Sequence, residues 1–133
     1  MVVTRFCRPP GIAVKHLSKP AYWHQIEHDL NARSMAVYDL SQDVIRCEAT
    51  TVSGAHEVTV GGLLQFGHSK DEPTRPQIKV MLGSLDPLGM PLATDVLSGE
   101  RADEGVYIPI MERRRSGLNK TGLLFVGDCT MSA

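Results

Sequence analysis

Apolar residues occur along this chain in short runs with two different periods. Between residues 21 and 32 they recur at helical spacing, at Tyr22, Trp23, Ile26 and Leu30. This spacing predicts one amphipathic helix with a single apolar stripe. Residues 1–20 contain three prolines and show no sustained period, so we predict an extended or disordered arm there.

The rest of the chain favours strands. Apolar runs predict strands at about residues 34–41, 44–51 and 77–85, a short run at 91–97, and a last strand at 122–127. Gln42 and Asp43 would join the first two in a hairpin, and residues 86–89 form a turn. A helix is predicted to begin after the N-cap candidate Asp103. The polar, glycine-rich residues 53–76 have the composition of a long functional loop.

This order predicts an α/β fold with a mixed sheet. Three antiparallel strands are followed by a right-handed crossover helix and a parallel fourth strand that lies beside the first. That topology is typical of the ribonuclease H-like fold. We therefore expect residues 33–133 to form a partial ribonuclease H-like domain, preceded by the helix of residues 21–32.

Composition narrows the class of protein. The 133 residues are 42% apolar and 22% charged, which suits one globular domain with a real core. Lys and Arg number 14 against 15 for Asp and Glu, so any contact with nucleic acid must come from a local patch. Three widely spaced cysteines argue against a disulfide framework. No apolar stretch approaches the roughly 20 residues that span a bilayer, so we expect a cytoplasmic protein without a membrane partner.

Two aspartates carry the candidate chemistry, because each follows an apolar strand. Asp39 follows residues 35–38 and Asp128 follows residues 123–126, with matching alternation. If those strands pair in parallel, both carboxylates lie at one edge and repel each other unless a cation neutralises them. Mg²⁺ is the natural candidate, with Mn²⁺ as its substitute, since Mg²⁺ pairs with one or two carboxylates plus phosphate oxygens. The alternative is that both aspartates serve turn chemistry alone.

Several short segments match one family in order and spacing. They are residues 38–41, 66–71, 76–77, 86–89 with 91–92, Gly99 with Asp103, and 127–128. Together they resemble the DDE transposases of bacterial insertion sequences, of the insertion-sequence-four-like superfamily. The loop of residues 70–75 departs from the family's usual acid before Leu-Pro-Gln, and Gly99 is followed by Glu100 instead of Asn.

Members of that family cut and join the ends of their DNA elements with two Asp and one Glu around Mg²⁺. The resemblance assigns the first acid to Asp39 and the second to Asp128. The third acid has no counterpart before Ala133. The resemblance therefore implies a truncated transposase that binds Mg²⁺ or Mn²⁺ weakly and is inactive alone, and its implied partners are the DNA ends of the element.

Basic residues supply candidate DNA contacts. Arg113, Arg114 and Arg115 form the densest basic run, and Lys70 lies in the long loop. Clustered cations neutralise phosphates, which favours contact with the DNA backbone. The alternatives are a solvated helix end for the arginines, near the negative end of the helix dipole, and a solvated loop for Lys70.

Two other short motifs are weaker evidence for a functional site. Residues 24–28 match H-x-x-E-H, an inverted zinc-protease signature, but an amphipathic helix explains the same segment. Residues 68–71 contain His, Ser and Asp too close in sequence to act as a hydrolase triad. The rival function is a non-catalytic interaction protein that self-associates or pairs with full-length transposase. A third possibility is a gene remnant without a stable fold.

Overall fold

The computed structural model of the protein describes residues 10–67, 72–103, 105–118 and 122–128. The chain divides into two compact units, Met1–Leu40 and Ser41–Ala133. Within the described ranges, no helix combines the length and the apolarity that a bilayer crossing requires.

The first unit contains two helices, α1 (Pro10–Leu17) and α2 (Pro20–Tyr38). The helix predicted at residues 21–32 is confirmed and is longer than predicted. Its predicted apolar stripe is wrong, because Tyr22, Ile26 and Leu30 are exposed, and Asn31 and Met35 are buried instead. The predicted arm is wrong for residues 10–17, which are helical, and residues 1–9 lie outside the described part of the chain.

The strand predicted at residues 34–41 is wrong, because α2 continues through this segment. Met35 is buried, and neither Gly nor Pro interrupts the segment, so an apolar run that fits both periods completes the helix. Asp39 ends α2 in the left-handed conformation, with φ 50° and ψ 49°, and its backbone N–H donates to the carbonyl of Met35. The predicted Gln42–Asp43 hairpin is therefore also wrong.

The second unit is a mixed sheet with one helix. Its elements are β1 (Val44–Ser53), β2 (Gln77–Leu85), β3 (Met90–Ser98), α3 (Tyr107–Leu118) and β4 (Leu124–Val126). The sheet order is β3-β2-β1-β4. β1 pairs antiparallel with β2, β2 pairs antiparallel with β3, and β1 pairs parallel with β4. The predicted mixed α/β sheet is confirmed, but its three antiparallel strands are β1, β2 and β3.

One face of the sheet forms the core, because buried residues alternate along its strands. Alternate positions of β2 from Gln77 to Leu85 are buried, as are Ile45 and Cys47 of β1. α3 packs here: a Cβ added to Gly83 would lie 3.5 Å from Ile110 Cδ1. The residues of this core are Ile45, Cys47, Met81, Leu85, Leu92, Ala93, Val106, Tyr107 and Ile110.

α3 begins later than predicted. It starts at Tyr107, so Pro109 lies in the first turn, where its missing N–H leaves no helical hydrogen bond unmade. A helix that began directly after Asp103 would instead have placed Pro109 in its interior. Asp103 is therefore not the N-cap of this helix.

Part of the long loop is tied to the sheet at two glycines. Gln65 and Gln77 exchange both backbone hydrogen bonds, at 3.1 and 2.9 Å, and the N–H of Gly99 donates to Leu63. A Cβ on Gly67 would lie 1.9 Å from the carbonyl oxygen of Gly99. The backbone approaches so closely at this point that only glycine fits.

Candidate functional site

The parallel pair of β1 and β4 brings two acids together. Arg46 of β1 is the partner of Val126 of β4, and two further residues along each chain reach Glu48 and Asp128. Paired strands lie about 4.8 Å apart, so the pairing of β1 with β4 carries the chain after β4 past Glu48. Both line a pocket of about 350 Å³, together with Arg46, Ala49 and Gly127. We call this the β1–β4 pocket.

Alternation along β1 explains why Glu48 is available. Ile45 and Cys47 point into the core, so Arg46 and Glu48 point to the opposite, exposed face. Glu is depleted in strands, where it neither packs well nor favours the pleated backbone. A Glu in the middle of β1 is thus an unusual choice, and it is the signal that could have identified this acid from the sequence.

Asp128 is held by a side chain from α3. The buried hydroxyl of Tyr107, the first residue of α3, donates a hydrogen bond to Oδ1 of Asp128 at 2.8 Å. Asp128 itself follows the last residue of β4 by two positions. Sequence reasoning missed Tyr107, since nothing in the local pattern links it to a residue 21 positions away.

A buried lysine anchors the turn before α3. Lys79 of β2 is only 3% exposed, and its ammonium donates to the carbonyl of Arg101 at 2.6 Å and pairs with the carboxylate of Asp103. The carbonyl of Asp103 in turn accepts the N–H of Val106 at 3.1 Å. These contacts fix the start of α3 against β2, and so fix the position of Tyr107.

Arg46 adds a cation to the β1–β4 pocket. Its Nε and Nη2 donate to Oδ1 of Asp86, at 3.2 and 3.0 Å. About half of the arginine side chain is exposed, so this ion pair is screened by water and contributes little stability. The guanidinium has five N–H donors, and Asp86 takes two of them, which leaves donors for an anionic group at the pocket.

The predicted pair of Asp39 and Asp128 does not arise from two strand ends. Asp128 lines a pocket with Glu48, an acid that was not predicted, and Asp39 is not at the end of a strand. It caps α2 in the first unit, so the strand-end argument for its role is wrong. A ligand role for Asp39 stays a prediction, but the strand-end argument no longer supports it.

Of the basic residues predicted to contact DNA, the structure uses two to hold α3 on the sheet and leaves one exposed. Arg113 pairs with Asp95 of β3, and the buried Arg114 donates to the carbonyl of Leu92. These two guanidinium groups attach α3 to the sheet. Arg115 is exposed and stays a candidate for contact with phosphate, while Lys70 lies outside the described residues.

The donor chemistry of the β1–β4 pocket fits a hard divalent cation. Carboxylate oxygens are the protein ligands that Mg²⁺ prefers, and it keeps several waters when only one or two carboxylates are available. In the part of the chain that the structure describes, no group of three or more His, Cys, Asp or Glu side chains could hold a metal. That finding gives no support to a zinc site at His24 and His28, and the lining of the pocket contains two acids among the described residues.

Cys47 is not a candidate nucleophile. Burial raises the pKa of its thiol from 9.0 to about 11, so the thiol stays protonated and unreactive near neutral pH. Its side chain is in the core, on the face of β1 opposite to Glu48.

Comparison with known proteins adds no identification. The chain matches no protein-family model, no curated protein and no solved structure.

Proposed function

We propose that residues 41–133 form a ribonuclease H-like catalytic domain of the DDE-transposase type, in which Glu48 and Asp128 are the acid pair. The observation that carries this proposal is the parallel pairing of β1 with β4, which brings both acids to one pocket. Glu48 thereby takes the place that the sequence motif suggested for Asp39. The strand order of the sheet supports the same class of enzyme, as does the motif match at residues 127–128, whereas the match at residues 38–41 does not.

The two acids would hold the cation of this site. Two carboxylates that line one pocket repel each other, and a divalent cation between them removes that repulsion. Glu48 and Asp128 are the residues that would bind Mg²⁺ or Mn²⁺, with water completing the coordination. The bound ion would supply Lewis-acid polarisation of a phosphate oxygen. With two protein acids we expect weak binding.

DNA is the substrate class that the surrounding charges favour. Arg46 lies in the same pocket and has donors left for a phosphate oxygen after its contacts with Asp86. Arg115 offers a further exposed cation on α3. Such contacts position a DNA backbone without reading its sequence.

Metal titration tests the acid pair. Mn²⁺ binding to the full chain is measured by the electron paramagnetic resonance signal of the free ion. Glu48→Gln and Asp128→Asn should each weaken binding at least tenfold, because each removes one of two anionic ligands. Asp39→Asn and the exposed-acid control Glu100→Gln should leave the affinity within twofold of the wild type.

The same titration can contradict the proposal. Loss of binding in Asp39→Asn with retention in Glu48→Gln would restore the pair that the motif suggested. Equal binding in all four variants would show that neither the Glu48–Asp128 pair nor Asp39 binds Mn²⁺.

A second candidate function is self-association through the edge of the sheet. β4 is the outer strand next to β1, and its first residue, Leu124, is 58% exposed. An exposed strand edge offers unpaired backbone groups to another chain. Sedimentation that reveals dimers of equal stability with and without Mg²⁺, in a chain without Mn²⁺ affinity, would favour this interaction role over the enzyme.

A further inference from the structure

We infer that Tyr107 is a positioning residue of the β1–β4 pocket, which holds the Asp128 carboxylate in place for a divalent cation. The inference rests on the proposed function, because it assumes that Asp128 is a ligand. It adds a residue that neither the acid motif nor the alternation of the strands identifies.

The first support is the contact itself. A buried tyrosine needs a partner for its hydroxyl, and Tyr107, at 1% exposure, finds that partner in a carboxylate at 2.8 Å. Hydrogen bonds to an ionised acceptor are stronger than those between neutral groups. A carboxylate has about four lone-pair positions, and the hydrogen bond from Tyr107 occupies one of them.

The second support is the rigidity of the donor. Tyr107 opens α3 and belongs to the core with Val106 and Ile110. The turn before it is fastened to β2 through Lys79 and Asp103. Asp128, in contrast, is exposed and lies beyond the last residue of β4. A fixed donor therefore orients an acid at a strand end, the arrangement by which outer-shell hydrogen bonds orient metal ligands.

The experiment compares Tyr107→Phe with the wild type by Mn²⁺ titration. Removal of the hydroxyl should weaken Mn²⁺ binding about tenfold, the lower end of the range for loss of such a partner. Ile110→Val is the matched control. It also perturbs the buried face of α3 but does not touch Asp128, so its Mn²⁺ affinity should equal that of the wild type.

A second measurement does not depend on the folding of a variant. The chain has three tyrosines, so incorporation of 3-fluorotyrosine gives three fluorine resonances. Mg²⁺ should shift the resonance of Tyr107 with the same dissociation constant as the titration gives. Tyr22 and Tyr38, exposed on α2, should not shift. A shift of Tyr38 alone would point to its neighbour Asp39 and overturn the inference.

The remaining outcomes separate the two proposals. If Glu48→Gln and Asp128→Asn lose affinity while a folded Tyr107→Phe keeps it, the acid pair stands and the role of Tyr107 is refuted. If the wild type itself binds no Mn²⁺, the proposed function fails first. If Tyr107→Phe does not fold, and Mg²⁺ does not shift the fluorine resonance of Tyr107 in the wild-type chain, the inference is also overturned.

Discussion

Gly99→Ala should be among the most damaging single-methyl additions to this protein. The N–H of Gly99 donates to Leu63, and its carbonyl accepts a hydrogen bond from Nε2 of Gln77, each at 3.0 Å. A Cβ at this position would lie 2.0 Å from the carbonyl oxygen of Gln77 and 2.8 Å from that of Gln65. Both obstacles are backbone atoms, so no side-chain rotation can relieve the overlap.

Gly99→Ala should lower the free energy of unfolding through two effects. Forcing an extra methyl group into packed structure costs about 1–3 kcal/mol. Moving the chain away would weaken the paired Gln65–Gln77 bridge, at about 1 kcal/mol for each hydrogen bond. A loss of about 3 kcal/mol is a large part of the roughly 5–15 kcal/mol that stabilises a typical domain. For a unit of this size it should lower the melting temperature by about 12–24 °C.

Urea denaturation followed by far-ultraviolet circular dichroism measures this loss. Gly105→Ala is the control, because no described atom lies within 4 Å of its added Cβ. The control should stay within about 0.5 kcal/mol of the wild type. If Gly99→Ala is equally stable, the close approach between the loop and β2 does not exist in solution.

Three further predictions concern other parts of the second unit. With the other two cysteines replaced by Ser, the Cys47 thiol should react with a disulfide reagent only as fast as the chain unfolds. Its pKa of about 11 exceeds the unfolded value of 9.0, so burial of the neutral thiol stabilises the fold fully below pH 9. This stabilisation is lost between pH 9 and 11, by roughly 3 kcal/mol. Urea titrations of the wild type should show this loss, and those of Cys47→Ala should not. Asp103→Asn leaves the buried Lys79 ammonium without its ionic partner, and urea denaturation should show a loss of about 2 kcal/mol that Lys79→Met largely removes; equal losses in both backgrounds would contradict the pairing. Leu124→Lys should reduce any concentration-dependent light scattering, and unchanged scattering would mean that the β4 edge is not where copies meet.

The local elements of the second unit could be predicted from the chain alone. β2 has the predicted bounds, and β1 lies within two residues of them, because alternation with period two is carried by adjacent residues. The turn at residues 86–89 was also predictable, since Gly89 takes the positive φ of 67° that its turn requires. A mixed sheet with one parallel pair was also predicted, but with residues 34–41 as the strand beside the last one, and β1 takes that place in the structure.

Residues 34–38 show where local pattern is insufficient. Met, Ala, Val and Tyr in succession fit a strand or the end of a helix equally well, and the choice depended on burial of Met35 in the first unit. The basic run of α3, Arg113 to Arg115, is also ambiguous, since its residues could contact the sheet or the solvent. Its sequence cannot reveal that Arg113 and Arg114 attach the helix to β3 while Arg115 faces solvent.

The sequence by itself determined that Asp128 follows a strand. Only the tertiary structure decided which acid lines a pocket with it. The parallel register of β1 and β4 brings Glu48 there, not the predicted Asp39, and the docking of α3 on the core face supplies the hydroxyl of Tyr107. Strand pairing and helix docking join residues some 20 to 80 positions apart through burial and hydrogen bonding, and a pattern read along the chain carries only the preferences of near neighbours.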